Sequence, residues 1–231
     1  MLEPDGRVAM VSGAARGIGR AVVLRLLQSG FAVSAGVRDR HDLPASNRLF
    51  THRYDAEDPA SADAWTAATA ARFGRIDAIV AAAGINPVAR LLDMDDSALD
   101  RLWTVNVKGP KHLVRAAWPH LVASGDGRVA ILASLSGKRV ANENMGYAAS
   151  KFAAVALTHA IRREGWDHGI RATAICPGFV ATDMTAQVTK QPRAEMSRPE
   201  DVAVLIETTL RLPAHAVVAE LLVNCRLEPT L

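Results

Sequence analysis

Short apolar runs alternate with helical patterns along the whole chain. Each run has the length and composition of a buried strand, and the segments between them repeat apolar residues at helical spacing. This alternation is typical of a parallel sheet covered by helices on both faces, a doubly wound Rossmann-type α/β fold. The predicted strands are Arg7–Val11, Ala32–Val37, Arg48–Tyr54, Asp77–Ala82, Gly127–Ala133, Ile170–Cys176 and Val217–Val223, and the predicted helices are Gly17–Ser29, Pro59–Phe73, Asp95–Ser124, Gly146–Gly165 and Pro199–Leu212.

The pattern predicts a single domain over residues 1–231. A chain of 231 residues, 49% of them hydrophobic, can bury a substantial core and is unlike a disordered chain. We find no repeat, low-complexity stretch or linker. The segment Ala181–Arg198 is largely polar and contains Pro192, so we interpret it as a loop or a mobile lid over the substrate rather than a domain boundary.

A glycine-rich turn joins the first strand to the first helix. Residues 13–19 read GAARGIG. Glycines there permit a sharp turn and let the backbone approach a bulky anion, and the helix that begins near Gly17 directs unpaired N–H groups and its positive dipole end at that anion. A nucleotide pyrophosphate fits this description. The alternative is a turn that only packs, because the spacing differs from the G-x-G-x-x-G dinucleotide fingerprint.

The end of the second strand bears on which nicotinamide cofactor binds. A carboxylate there would accept from an NAD ribose, whereas an arginine would pair with the 2′-phosphate of NADP. Val37 has no acceptor, Arg38 follows it, and Arg16 lies in the glycine turn. We therefore favour NADP(H). NAD(H) is the alternative, because Asp39 would reach the ribose if the register slipped by two, and Arg38 and Arg40 would then form a solvated loop face.

Two further strand ends contribute to the predicted cofactor site. Asp55 follows the third strand and is expected to accept from the adenine amino group, while Asp58 before Pro59 is expected to cap the next helix. Residues 81–84 read AAAG after the fourth strand and leave space for the cofactor's ribose and nicotinamide. The alternative for this last stretch is a tight strand-to-loop turn.

The catalytic prediction comes from three residues after the fifth strand. That strand delivers Ser134 to the carboxyl edge of the sheet, and Tyr147 and Lys151 lie four apart, on one face of a helix. A nearby ammonium favours the phenolate and moves the pKa of a phenol toward working pH. Tyr147 would then protonate a substrate carbonyl oxygen that the Ser134 hydroxyl holds. The alternative, an aromatic ring packed on a lysine stem, does not account for Ser134 or the glycine turn.

These motifs resemble the short-chain dehydrogenase/reductase family, and the resemblance covers nearly the whole chain. The family's T-G-x-x-x-G-x-G pattern is Ser12 to Gly19, its Ser–Tyr–Lys triad is Ser134, Tyr147 and Lys151, and its helix asparagine is Asn106. The resemblance implies the sheet order 3-2-1-4-5-6-7. It also implies a homodimer or homotetramer whose subunits meet through the long helices near 100–121 and 146–165.

The resemblance further implies roles for individual residues. Asn106 would bend its helix and hold a water beside Lys151, and Lys151 would also hold the nicotinamide ribose hydroxyls. The Val180 backbone and the Thr182 hydroxyl would bind the nicotinamide carboxamide. The predicted catalytic residues are Asn106, Ser134, Tyr147 and Lys151, and the predicted cofactor-binding residues are Ser12, Gly13, Arg16, Gly17, Ile18, Gly19, Arg38, Asp55, Ala56, Ala82, Gly84, Tyr147, Lys151, Pro177, Gly178, Val180 and Thr182.

The sequence departs from the family pattern at three places that matter. The leading threonine of the glycine pattern is Ser12, which keeps the hydroxyl. The family's N-N-A-G is AAAG here, so Ala82 replaces the amide that braces neighbouring strands. We expect lower local rigidity with the chemistry retained, and we expect Asn86 to substitute in part. The V-D-G-G ending of many members is also absent, which favours a reductase of varied small carbonyls or alcohols over a fatty-acid-synthesis reductase.

Composition excludes several other classes. The net charge is +3, from 27 basic and 24 acidic residues, and no basic stripe with interleaved aromatics indicates nucleic-acid binding. No apolar run is long enough to span a membrane, and the first residues do not resemble a signal peptide, so we expect a cytoplasmic protein. Cys176 and Cys225 are expected to be free thiols. The seven histidines show no metal-ligand spacing, and no metal is expected.

The sequence thus predicts an NADP-preferring oxidoreductase that transfers hydride between its cofactor and a carbonyl or secondary alcohol. The alternatives are an NAD-preferring alcohol dehydrogenase and a catalytically silent nucleotide-binding regulator on the same fold. We expect Leu91–Asp96, Lys138–Met145 and the predicted lid to select a small-molecule substrate. Arg139 in the second segment is expected to face solvent rather than to attract an acidic substrate.

Overall fold

The computed structural model describes residues 1–39 and 42–227, so the expectation about Arg40 lies outside the described residues. The strands in this part of the chain are β1 (Val8–Ser12), β2 (Ala32–Val37), β3 (Leu49–Arg53), β4 (Ala78–Ala81), β5 (Arg128–Leu132), β6 (Arg171–Pro177) and β7 (Glu220–Val223). The helices are α1 (Gly17–Ser29), α2 (Pro59–Phe73), α3 (Ser97–Trp103), α4 (Gly109–Ala123), α5 (Met145–Gly165) and α6 (Pro199–Arg211).

The strands form one parallel sheet in the order β3-β2-β1-β4-β5-β6-β7. Strand β1 lies between β2 and β4, with Val11 opposite Ala35 on one side and Val80 on the other. The predicted fold class and sheet order are confirmed. The order reverses between β1 and β4, and in such sheets ligands bind outside the carboxyl ends of the strands at that point.

Successive residues of the central strands enter opposite halves of the core. Ala9 and Val11 of β1 pack with α1 and α6, whereas Met10 between them packs with α2, α4 and α5. This alternation follows from the two-residue period of a strand. Both faces of the sheet are therefore buried, which explains why the strands are continuous apolar runs.

One helix start and one helix end follow the expected capping chemistry. The Asp58 carboxylate accepts from the Ala60 backbone N–H (3.0 Å) and Pro59 is the first residue of α2, which confirms the expected cap. Helix α1 ends at Gly30, whose φ of +113° is a left-handed conformation suited to glycine.

The long helix expected over Asp95–Ser124 is divided. A π-helical turn, Thr104–Lys108, separates α3 from α4 and contains Asn106. Turns of this kind are rare and occur often at functional sites. The helical pairing therefore changes locally at Asn106, and the bend expected there stays a prediction.

Two predicted segments differ in detail from the structure. Strand β7 begins at Glu220 rather than at residue 217, and just before it the Thr173 hydroxyl donates to the Val218 carbonyl (2.7 Å). Residues 181–198 form a loop with two short 3₁₀ turns, and its far end is held by a bridge between Val180 and Ser197. Its role as a lid stays a prediction. Among the helices of the described residues, none is long and apolar enough to cross a membrane.

Candidate active site

A cleft of about 580 Å³ opens at the carboxyl ends of the strands. The turns after β1, β4, β5 and β6 and the start of the 181–198 loop form its walls. Of the predicted site residues, those that line it are Gly13, Arg16, Gly17, Ile18, Gly19, Arg38, Asp55, Ala56, Ala82, Gly84, Ser134, Tyr147, Lys151, Pro177, Gly178, Val180 and Thr182. The tertiary structure therefore gathers residues separated by up to 169 positions (182 − 13) into one site.

The glycine turn leaves no room for side chains. Gly13 has a φ of +65°, and a Cβ added there would lie 2.8 Å from the Ala83 nitrogen. A Cβ on Gly19 would collide with the Gly13 carbonyl. At Gly17, with a φ of +55°, a Cβ would lie 3.2 Å from the Thr182 methyl. The turn is a backbone cradle that side chains would fill.

The start of α1 supplies donors to this cradle. Arg16 occupies the cap position with extended backbone, and its side chain does not cap the helix. The first N–H groups of a helix have no intrahelical partner and favour an anion. The cradle and these donors together fit the pyrophosphate of a dinucleotide.

Charged side chains occupy the outer end of the cleft. Arg38 and Asp39 are both exposed and both line the cleft. The Arg16 guanidinium lies 3.1 Å from the Asp183 carboxylate, and both side chains are exposed. Asp55 accepts from the Glu57 backbone N–H (3.0 Å) through one carboxylate oxygen. This end thus contains both the arginines that favour NADP and a carboxylate that favours NAD.

Ser12 differs from its predicted role as a cofactor-lining residue. It is buried, and its hydroxyl accepts from the backbone N–H groups of Ala82 and Ala83, both at 3.1 Å. The hydroxyl ties the end of β1 to the loop after β4, so it supports the cradle from behind. This contact braces the stretch that contains Ala82, where the family amide is missing.

The inner end of the cleft holds the predicted catalytic residues. Ser134 and Tyr147 both line this end, and the Ser134 hydroxyl is close enough to influence the ionisation of the Tyr147 phenol. The Lys151 ammonium lies 5.7 Å from the centre of the Tyr147 ring and donates to the Leu132 carbonyl (2.7 Å). The Ser134 hydroxyl also accepts from the Ser136 N–H (3.0 Å), which fixes the turn after β5. The predicted triad is therefore assembled.

Burial controls the ionisation of this group. It raises the pKa of Tyr147, while the Ser134 hydroxyl acts in the opposite direction. Burial lowers the pKa of Lys151 to about 8. We expected the ammonium to lower the pKa of Tyr147, but in this geometry burial dominates. Tyr147 is consequently protonated near neutral pH, which is the form that donates a proton.

Asn106 is close to the triad but does not line the cleft. Its amide oxygen accepts from the Ile85 N–H (3.0 Å), and its nitrogen donates to the Ile85 carbonyl (3.0 Å) and the Ser150 hydroxyl (3.0 Å). Ser150 in turn donates to the Tyr147 carbonyl (2.8 Å). The side chain thus connects the segment after β4 to α5. The expected water beside Lys151 stays a prediction.

Two expectations about neighbouring residues are wrong. Asn86 does not brace the strands, because its amide oxygen accepts from Asn144 (2.9 Å) at the start of α5. Arg139 is half-buried and lines the cleft rather than facing solvent. Both belong to loops, whose paths are set by tertiary contacts rather than by local periodicity.

Sequence reasoning missed several residues of the cleft. They come from loops, where no periodicity indicates which side chain faces the site. The lining residues that were not named as site residues include Asn86, Asn142, Phe179, Met184, Val188, Lys190 and Arg226. Asn142, Met184, Val188 and Lys190 do lie in the segments expected to select the substrate. Across residues 1–39 and 42–227, no three His, Cys, Asp or Glu side chains gather to hold a metal ion.

Comparison with known proteins identifies the class. The family model described as short chain dehydrogenase matches residues 7–193. Agropine synthesis reductase of Rhizobium rhizogenes is 38% identical over 227 residues, covering 96% of this chain and 53% of that reductase. Oxidoreductase UcpA of Escherichia coli K12 is 32% identical, covering 90% of this chain and 81% of its own. The chain therefore belongs to the short-chain dehydrogenase family, a family of nicotinamide-dependent oxidoreductases.

A solved structure extends the comparison. The alcohol dehydrogenase of the archaeon Thermococcus sibiricus, solved in complex with 5-hydroxy-NADP, matches with a TM-score of 0.82 and 26% identity, covering 94% of this chain and 95% of that one. The chain spans only about half the length of the agropine synthesis reductase it resembles.

Proposed function

We propose that this chain transfers hydride between NADP(H) and a carbonyl or secondary-alcohol substrate. The observation that carries the proposal is the position of Ser134, Tyr147 and Lys151 at the inner end of a cleft that the glycine cradle also lines. The names of the two similar proteins, a reductase and an oxidoreductase, agree with this chemistry.

Different residues of the cleft would bind different parts of the cofactor. The glycine turn and the start of α1 would hold the pyrophosphate, and Asp55 with Ala56 would contact the adenine. Val180 and Thr182, beside the Pro177–Gly178 turn, would bind the carboxamide, and Lys151 would hold the nicotinamide ribose. When bound, the nicotinamide supplies the hydride that adds to the carbonyl carbon.

Tyr147 completes the reduction by proton transfer. Its hydroxyl proton passes to the carbonyl oxygen as the carbon gains hydride, so the product is an alcohol and the residue left is a phenolate. The Ser134 hydroxyl donates a hydrogen bond to the same oxygen and stabilises its developing charge. Lys151, with a pKa of about 8, returns a proton to Tyr147 near neutral pH, and Asn106 holds the water that connects Lys151 to solvent.

Two arginines support NADP(H) over NAD(H). Arg38 and Arg16 both line the outer end of the cleft, and a guanidinium pairs well with a phosphate. The similar Thermococcus alcohol dehydrogenase was solved with an NADP analogue. Asp39 at the same end is the feature that favours the NAD-preferring alternative.

We also propose that the chain forms a homodimer or homotetramer through the helices expected from the family resemblance. Trp103 at the end of α3 is 42% exposed, and Phe152 on α5 is 43% exposed. Aromatic side chains are enriched where protein surfaces meet, which agrees with the family resemblance.

The test is NADPH oxidation against a panel of ketones, aldehydes, 3-oxoacyl thioesters and quinones, with wild type beside Tyr147→Phe. We expect turnover in the wild type and at least a hundredfold lower kcat in the variant, because a phenyl ring has no proton to donate. NADPH affinity serves as the control and is expected to be unchanged. Turnover retained in the variant would contradict the role of Tyr147, and NADPH binding without any turnover would indicate the regulator.

A further inference from the structure

The segment 84–89 follows β4 along the chain and passes beside the start of α5. Gly84, Ile85 and Asn86 line the cleft, so the path of this segment shapes the site. Asn106 holds its near end through both backbone polar groups of Ile85. The far end is held by another asparagine, Asn144, which directly precedes α5.

The side-chain amide of Asn144 makes four hydrogen bonds at this junction. The oxygen accepts from the Ala89 N–H (3.0 Å) and the Tyr147 N–H (3.3 Å). The nitrogen donates to the Asn86 amide oxygen (2.9 Å) and the Pro87 carbonyl (3.0 Å). An amide has two donor and two acceptor positions, and all four are occupied. An ordinary cap needs only one acceptor, so three of these contacts exceed what capping α5 requires.

The junction is also tightly packed. The Gly146 N–H donates to the Ala89 carbonyl (3.0 Å), and a Cβ added to Gly146 would lie 2.7 Å from the Ala89 Cβ. Ala89 is buried. Helix α5 therefore begins directly against the segment, and Asn144 sets how the two are aligned.

We propose that Asn144 is a positioning residue that fixes Tyr147 relative to the cleft-lining segment 84–86, and this proposal rests on the reductase function proposed above. The same amide oxygen contacts the Tyr147 backbone and the segment, while the amide nitrogen orients Asn86. Proton transfer demands close alignment, and displacement by about 1 Å can cost about a hundredfold in rate. Asn144 provides bracing between α5 and the segment in a chain whose Ala82 lacks the family amide.

The decisive variant is Asn144→Ser. Serine is as good a helix cap as asparagine and is likewise uncharged, but it has no amide and is too short to keep the donations to Asn86 and Pro87. We expect kcat to fall about tenfold, with KM for NADPH within about twofold of wild type and the melting temperature nearly unchanged. The matched control is Asp58→Ala, which removes the cap of α2 at a residue that does not itself line the cleft, and it should lower the melting temperature with kcat unchanged.

A second readout does not require turnover. The chain has two tyrosines, so labelling with 3-fluorotyrosine gives two ¹⁹F resonances, which Tyr147→Phe assigns. We expect Asn144→Ser to move the Tyr147 resonance and Asp58→Ala to leave it in place. Wild-type kcat together with an unmoved resonance in Asn144→Ser would overturn the proposal. Inactivity of the wild type across the panel would overturn the reductase function instead, and the resonance would then decide the role of Asn144 alone.

Discussion

Burial shifts the pKa values of Tyr147 and Lys151 in opposite directions. Burial disfavours a charged side chain, so it raises the pKa of the tyrosine and lowers the pKa of the lysine to about 8. The tyrosine therefore carries its proton at the pH at which it must donate it. The lysine is close to half-ionised slightly above neutral pH, which suits a group that passes protons on.

Arg38 gives a residue-level prediction about cofactor preference. In Arg38→Asp, the ratio of kcat/KM for NADPH to that for NADH should fall at least about tenfold. The variant loses the guanidinium that pairs with the 2′-phosphate and gains a carboxylate that accepts from a ribose hydroxyl. Initial rates with each cofactor measure this ratio.

The control for this charge change is Arg53→Asp. Arg53 ends the neighbouring strand opposite Val37 and is exposed, but it does not line the cleft. We expect its cofactor ratio to remain within about twofold of wild type, since screening weakens charge effects at a distance. An unchanged ratio in Arg38→Asp would show that Arg38 does not contact the phosphate.

At the scale of elements, the 3₁₀ turn after Ser134 packs directly against α5. A Cβ added to Gly137 would lie 2.6 Å from the Lys151 carbonyl oxygen, and neither backbone can yield easily. Gly137→Ala should therefore push the turn away from the helix and separate Ser134 from Tyr147. We expect kcat to fall at least about tenfold, measured with the substrate identified in the panel.

Gly125→Ala is the matched control for this element. Its φ of +72° makes the substitution strained by about 1–2 kcal/mol, but nothing lies within 4 Å of the added Cβ. It should lower the melting temperature without changing kcat. Equal kcat values for the two alanine variants would mean that the contact between the turn and α5 does not set the geometry of the triad.

At the scale of the whole molecule, the titration of Lys151 is linked to unfolding. Its pKa is about 8 in the folded state and 10.5 ordinarily, so between these values the unfolded chain binds more protons. Wild-type stability should consequently rise with pH in this window relative to Lys151→Met. The difference in their free energies of unfolding should shift by about 2 kcal/mol in favour of wild type between about pH 7.5 and about pH 10.

Urea denaturation of both proteins at the two pH values measures this shift. The comparison cancels other titrating groups, provided that they behave alike in the two proteins. A difference that does not change with pH would mean that Lys151 ionises normally in the folded chain. Loss of turnover in Lys151→Met is expected separately, because methionine can neither pass a proton nor hold a ribose hydroxyl.

The cofactor cleft was predictable to the extent that its residues follow strands. Gly13, Asp55 and Ser134 each come within two residues of a strand end, and parallel strands bring their carboxyl ends to one edge. Phe179 and Arg226 were not predicted as site residues, and Lys190 was expected only as part of the predicted lid, since loop residues reach the cleft by paths that no period encodes. Ser12 was predicted to bind the cofactor, but its hydroxyl accepts from the backbone N–H groups of Ala82 and Ala83 behind the glycine cradle.

The sequence by itself determined what depends on local spacing. Apolar runs separated by helical patterns set the parallel sheet, and a separation of four put Tyr147 and Lys151 on one helix face. The tertiary structure alone decided the alignment of Asn144 with a segment 55 residues away and the pKa shifts of Tyr147 and Lys151. Hydrogen bonds of an amide and the burial of a side chain depend on neighbours from distant parts of the chain, and only folding brings those neighbours together.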